Sequence, residues 1–276
     1  MITYTDILVD KQRTDYQLRE EWKKLQVAPD RGFVGNRILY HYQMDQICRT
    51  STYSGSLYDI FQDNEKLTKL LANVAKLGRA GSAASRVFEA WRINSCVALF
   101  RPTNAIYVYR TLGATAILDP TAGWGGRLLG AAALGLRYTG IDTNLGLKKG
   151  YDDMIATLGI TNATLLWHNC LDIDFSQIDY DLVLTSPPYI NQELYSYMTP
   201  FESKSAFYKN FLIPLLNSCR RHIRRNGWTC FNISLKMYDE LLKEGYETAH
   251  RILPLSQQKR VGIQRGDVIY CWKPIS

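Results

Sequence analysis

Metal-ligating residues are sparse in this chain. Its 276 residues include 4 histidines and 6 cysteines, the latter at positions 48, 96, 170, 219, 230 and 271, with no Cys-x-x-Cys pair and no clustered histidines. That scatter argues against a zinc site and supplies no disulfide framework, so no metal and a reduced, intracellular setting are expected. No apolar run has the length of a membrane span, and Met1–Asp6 lacks the pattern of a signal peptide, so no membrane partner is expected. Internal repeats and low-complexity tracts are also missing, which sets aside solenoid and disordered architectures.

What is present is the composition of a folded protein, with 46% hydrophobic and 12% aromatic residues. Lys and Arg number 33 against 26 Asp and Glu, a formal charge of +7. This moderate excess suits a phosphate backbone without requiring one. The texture changes near residue 95. Residues 1–94 are rich in charge and tyrosine, with helical periodicity over Tyr16–Gln26 and Leu57–Leu77. The small, basic run Gly78–Arg86 is a hinge, a phosphate-contacting loop (with Lys76, Arg79, Arg86 and Arg92 as candidate contacts) or a plain connector. From Ser95 onward strand and helix patterns alternate, which predicts an α/β fold with a mostly parallel, doubly wound sheet.

Two segments carry the chemistry. The first runs Ile117-Leu118-Asp119-Pro120-Thr121-Ala122-Gly123-Trp124-Gly125-Gly126-Arg127-Leu128-Leu129-Gly130. An apolar strand ends at Asp119, a glycine-rich turn follows, and an Ala/Leu-rich helix extends to Leu136. Glycines let the backbone approach a ligand, and the helix N-terminus offers unpaired N–H groups. The turn is neither Gly-x-Gly-x-x-Gly nor a phosphate loop with its Lys-Ser/Thr. Next comes Tyr138–Asp142, a second strand ending in an acid 23 positions after Asp119, where a doubly wound fold holds ribose hydroxyls. The second segment is Thr185-Ser186-Pro187-Pro188-Tyr189, after the apolar strand Asp181–Leu184. Two prolines remove two backbone donors, the Ser186 hydroxyl accepts, and Tyr189 offers a flat face. An amino group on an aromatic ring needs those features: acceptors for its N–H bonds and a ring to stack on.

Together these segments resemble the S-adenosylmethionine-dependent amino-methyltransferases of nucleic acids, and most of all the DNA cytosine-N4 and adenine-N6 enzymes with Asp/Asn/Ser-Pro-Pro-Tyr/Phe. The resemblance covers about Ser95–Ser276 and implies a Rossmann-like class I methyltransferase domain at 95–276. Residues 1–94 are then a mainly helical extension that reads the target or meets a partner. The implied cofactor is S-adenosylmethionine, held by Asp119, Thr121, Ala122, Gly123, Trp124, Gly125 and Asp142. The resemblance also implies that Phe100-Arg101-Pro102-Thr103 closes over the methionine end, with an exposed strand-to-helix corner as the alternative for Arg101. Asp172 is implied as the acceptor for the adenine amino group. Trp124 departs from the small residues usual in that turn, either filling the cofactor pocket or packing under the first helix. His168, without a partner at ligand spacing, reads as a surface or strand-end residue.

The implied activity is methyl transfer to an exocyclic amino group of a flipped DNA base, with Ser186, Pro187, Pro188 and Tyr189 as the catalytic set. Ser186 leans toward cytosine over adenine. RNA or a protein glutamine offers the same chemistry, and a non-catalytic DNA-binding subunit on this scaffold is a further alternative. DNA is the expected partner, and the sequence leaves a homodimer or partner subunit open. The basic cluster Arg220–Arg225 complements a helix C-terminus without needing nucleic acid. The basic, Gln-bearing stretch Gln257–Gly266 reads as a loop between edge strands 249–254 and 267–272 that suits phosphate and base-edge contacts.

Overall fold

Capping residues punctuate the N-terminal third. Thr3 and Thr14 each form a reciprocal capping box, with Asp6 and Gln17, and so start α1 (Tyr4–Lys11) and α2 (Asp15–Gln26). Helix α3 is Asn36–Arg49. The periodic stretch over Leu57–Leu77 is two helices, α4 (Leu57–Phe61) and α5 (Asn64–Leu77). The chain breaks between them because the Asp63 carboxylate accepts from the Glu65 and Lys66 N–H groups, both at 3.0 Å, and restarts the helix there. Helices α6 (Ala83–Ser95) and α7 (Pro102–Leu112) follow, the latter opened by a proline at its first turn. The computed structural model describes residues 2–27, 32–51, 55–78, 80–95, 97–188, 201–255 and 268–275.

The remainder alternates as the sequence predicts: β1 (Ala116–Asp119), α8 (Gly126–Ala133), β2 (Arg137–Ile141), α9 (Lys148–Leu158), β3 (Ala163–Leu166) and β4 (Leu182–Thr185). After β4 come α10 (Lys204–Phe207), a π-helical turn (Tyr208–Leu212), α11 (Ile213–His222), β5 (Trp228–Phe231), α12 (Leu235–Lys243), β6 (Arg251–Pro254) and β7 (Val268–Trp272). These strands form one seven-stranded sheet in the order β3-β2-β1-β4-β5-β7-β6. β3 through β5 run parallel in that order, while β7 is antiparallel to both β5 and β6. β7 is therefore an inner strand, buried from Ile269 to Trp272, and of this pair β6 alone lies at an edge, whereas the sequence suggested two edge strands. This order, with its single reversed inner strand and helices on the sheet, is the Rossmann-like class I fold of the S-adenosylmethionine-dependent methyltransferases.

The N-terminal helices share the sheet's core. Leu25, Leu39 and Ile47 bury in one cluster with Leu128, Leu129 and Tyr151. α3 packs on α9, and α2 packs on α8 and α9. The approach of α3 and α9 is close: a Cβ on Gly150 would lie 2.5 Å from the Tyr42 carbonyl oxygen. No helix among the described residues is long and apolar enough to cross a membrane.

Candidate functional site

The strand order reverses between β1 and β4, and open α/β sheets bind ligands outside the carboxyl ends of the strands at such a point. A cavity of about 420 Å³ opens there. Pro120, Thr121, Gly123 and Trp124 line it from the turn after β1, and Asp142, Thr143, Asn144 and Leu147 from the loop after β2. His168, Asn169, Cys170 and Leu171 line it after β3, and Ser186 and Pro188 after β4. Phe201, Asn210 and Phe211 complete the wall. The volume is that of a small-molecule site.

The glycine turn is shaped from beneath. Gly123 and Gly125 take φ of 57° and 91°, values that side chains oppose. Tyr151, buried on α9, donates its hydroxyl to the Gly123 carbonyl at 2.9 Å. The Ala122 N–H donates to the Ile141 carbonyl at 2.9 Å, tying the turn to the end of β2. Asp142 completes the tie: its Oδ2 accepts from the Gly123 N–H at 2.8 Å and its Oδ1 from the Asn144 N–H at 2.9 Å. Each oxygen keeps a lone pair for a further donor. Burial pushes the Asp142 carboxyl up to about 6, against the downward pull of those two N–H groups.

Asp119 is the other acid of the turn, and it is fully buried. Its Oδ2 accepts from Arg127 Nε at 2.6 Å and from the Tyr138 hydroxyl at 2.7 Å, and its Oδ1 accepts from the Thr185 hydroxyl at 2.9 Å. Arg127 is itself buried, donates to the Thr121 carbonyl at 2.5 Å and lies over the Phe100 ring at 5.2 Å. The Asp119 carboxylate holds the Arg127 guanidinium in its charged form. Asp119 thus anchors the turn from within the core and lies outside the cavity wall.

A threonine pair joins the two sequence motifs. Thr121 Oγ1 and Thr185 Oγ1 are 2.6 Å apart, and the Thr121 hydroxyl also reaches the Ser186 carbonyl at 3.0 Å. Ser186 donates its hydroxyl to the Asn232 carbonyl at 3.4 Å, so its oxygen presents lone pairs as an acceptor. Pro187 is buried beneath, and Pro188 faces the cavity.

Of the residues expected from the sequence, Thr121, Gly123, Trp124, Asp142, Ser186 and Pro188 line one cavity. Ala122, Gly125 and Pro187 support it from behind without lining it. Trp124 is largely buried yet reaches the wall. Phe100, Arg101, Pro102 and Thr103 do not line the cavity, although Phe100 sits against Arg127. Pro102 starts α7 and packs toward Gly35, Thr103 donates to the Gly32 carbonyl at 2.9 Å, and Arg101 covers the Phe33 ring at 4.1 Å. Residues 101–103 thus meet the chain just before α3. Asp172 is exposed and off the wall, because the 3-10 turn Cys170–Asp172 directs Cys170 and Leu171 to the cavity instead. Tyr189 and the stretch 257–266 lie outside the described residues.

Sequence reasoning missed Asn144, Leu147, Asn169, Leu171, Asn210 and Phe211, and it set His168 aside although His168 lines the cavity. The one available signal was positional: residues just after a parallel strand's carboxyl end belong to the site. The basic cluster Arg220–Arg225 lies at the other end of the sheet. Arg224 donates to Asp179 at 2.6 Å and to Asp181 at 3.2 Å, and Asp181 binds the Thr115 N–H before β1. Arg220 is buried and bonds the Lys273 carbonyl at 2.7 Å. The Asp179 carboxyl is held well below its usual range by Arg224 and Arg137.

No protein-family model matches the chain. Over 114 residues it is 28% identical to the tRNA (guanine(10)-N2)-dimethyltransferase of Methanothermobacter thermautotrophicus, a match covering 41% of this chain and 31% of that protein. Among solved structures, TrmN from Thermus thermophilus is 15% identical with a TM-score of 0.45, over 72% of this chain and 70% of that one. A methyltransferase homologue from Pyrococcus horikoshii is 14% identical with a TM-score of 0.43, over 69% of each chain.

Proposed function

We propose that this chain transfers a methyl group from S-adenosylmethionine to an exocyclic amino group of a nucleic-acid base, with RNA as the favoured substrate. The observation that carries this is the sharing of one cavity by Asp142, the glycine turn, Ser186 and Pro188. A cofactor-side acid and an amino-side acceptor meet there, joined through the Thr121–Thr185 pair.

The site fits the cofactor. Asp142 presents a carboxylate with lone pairs to spare, matched to a ribose diol, and Gly123 lets the backbone come close. Leu147 and Leu171 offer apolar contact to a purine ring beside Asn169. When bound, S-adenosylmethionine supplies an electrophilic methyl on a sulfonium. The protein's part is to place and polarise the acceptor nitrogen. Delocalisation into the ring makes an exocyclic amino group a poor nucleophile. Ser186 Oγ accepting one of its N–H bonds favours a more tetrahedral nitrogen and stabilises the positive charge that develops there. A paired base reaches such a pocket by leaving its stack, at a cost of a few kcal/mol.

RNA is favoured over DNA because the relative with the matching stretch is named for a guanine N2 in tRNA, an exocyclic amino group. The Ser-Pro-Pro-Tyr segment, by its resemblance to DNA enzymes, supports DNA as the second reading. Ser186→Ala is expected to lower kcat about 10–100-fold with the cofactor Kd unchanged. An unaltered kcat in that variant removes Ser186 from the chemistry.

A further inference from the structure

The helix that follows the catalytic segment is widened where it meets the cavity. In the π-helical turn Tyr208–Leu212 the Ile213 N–H donates to the Tyr208 carbonyl, five residues back. The cause is Pro214. Proline has no N–H to give to the carbonyl four residues earlier, which is that of Asn210, and its ring crowds that carbonyl. Inserting one extra residue relieves the conflict, and such turns recur at functional sites. Here the outcome is local: Asn210 and Phe211, adjacent in sequence, both line the cavity with Ser186 and Pro188.

The surroundings fix one part of this wall and leave another available. Phe201 and Phe207 meet edge to face at 5.1 Å, and Phe211 packs on both at 5.9 and 5.4 Å, with Phe207 buried. Phe211 is thus held in place, half-buried, with ring surface toward the cavity. Asn210 is exposed, and no hydrogen bond from its amide to another described residue is present. An amide offers a donor and an acceptor side by side, which complements a base edge carrying the same pair. By the strand order, this wall stands on the β4 side of the site, opposite the β2 and β3 loops assigned to the cofactor.

We propose that the π-turn is the specificity wall of the acceptor site: Asn210 pairs with the edge of the target base while Phe211, braced by Phe201, lies against its ring. The inference rests on the nucleic-acid reading above and adds to it the residues that choose the base. The turn's geometry, set by Pro214, positions Asn210.

The test is steady-state methylation of an unmodified tRNA transcript pool and of total RNA with labelled S-adenosylmethionine, using the wild type, Asn210→Ala, Asn210→Asp, Pro214→Ala and Lys243→Ala. Lys243 is exposed in the last turn of α12, paired with Glu240 at 2.7 Å and absent from the cavity wall, and serves as the control, expected to keep wild-type kcat/KM. Asn210→Ala is expected to lower kcat/KM for RNA at least tenfold, with cofactor Kd and melting temperature unchanged. Asn210→Asp, which loses the donor, is expected to shift the balance of methylated nucleosides seen by mass spectrometry. Pro214→Ala is expected to lower kcat/KM in the same way while stability is kept or raised. A kcat/KM within twofold of wild type in Asn210→Ala, with wild-type transfer intact, overturns the inference and leaves the function standing. Absence of transfer by the wild type to any nucleic acid overturns the function, and the inference with it.

Discussion

Asp119 and Asp142 sit at the ends of adjacent strands, and their surroundings divide their roles. Asp119 accepts from three side-chain donors, of which the Arg127 guanidinium balances its charge, and is absent from the cavity wall, so it holds the glycine turn to the core. Asp142 accepts only two backbone N–H groups and faces the cavity. Its carboxyl, raised from 3.8 to about 6, keeps its proton more readily in the folded protein. Ionisation therefore opposes folding across that interval, and the ionised form is lost as the pH falls through about 6. If the carboxylate accepts ribose hydroxyls, cofactor affinity is expected to weaken as the pH drops below about 6 and to be level above pH 7. Asp142→Ala should bind weakly at every pH, with that step gone. Calorimetry of S-adenosylmethionine binding from pH 5 to 8 checks this, and a step that persists in Asp142→Ala assigns it to another group.

At the scale of elements, the close packing of α8 against the segment before it sets the site's shape. A Cβ on Gly126 would lie 1.8 Å from the Phe100 carbonyl oxygen, and one on Gly130 would lie 2.6 Å from the Ala105 Cβ. Both positions demand glycine for space. Gly126→Ala is expected to destabilise by about 1–3 kcal/mol, the usual cost of overpacking, read as a lowered midpoint in urea. An unchanged midpoint would mean that the Phe100 segment yields freely. The strand–glycine–helix unit and the acid after β2 were legible in the sequence because glycine, strand periodicity and an acid at fixed spacing are local signals. The part played by Asp119 was not, since it depends on Arg127, Tyr138 and Thr185 converging in space. A lone arginine, Arg127, directly ahead of the apolar run Leu128–Leu136 was the available hint. Phe100–Thr103 does not line the cavity: Phe100 lies beneath the Arg127 guanidinium, and Arg101, Pro102 and Thr103 meet the chain at residues 32–35, a docking that no local pattern announces. Pro214 was visible a few residues ahead of the helix C-terminus read at Arg220–Arg225, but the π-turn beside it was not read from it.

Across the whole molecule, helix α3 backs the loop after β2 that lines the cavity. Gln43 on α3 is buried and donates to the Leu147 carbonyl at 3.4 Å, and Leu147 lines the cavity. Helices α2 and α3 cover α8 and α9, whose inner faces would otherwise meet water. A chain beginning at residue 95 is therefore expected to lose cooperative unfolding and cofactor binding together. A truncated chain that melts cooperatively and binds S-adenosylmethionine would show that the sheet domain stands alone. The excess of positive charge is not concentrated at the cluster 220–225, where Arg220 is internal and Arg224 is paired with acids at the end of the sheet away from the site.

The central claim is amino-group methylation of a nucleic acid, with RNA favoured over DNA. Its most direct test is transfer of labelled methyl from S-adenosylmethionine to unmodified RNA and to unmethylated DNA, side by side, followed by nucleoside mass spectrometry. The account predicts label in RNA on an exocyclic nitrogen. Label in DNA alone would contradict the choice of RNA, and label on a ring carbon, a ribose oxygen or protein would contradict the assigned chemistry itself.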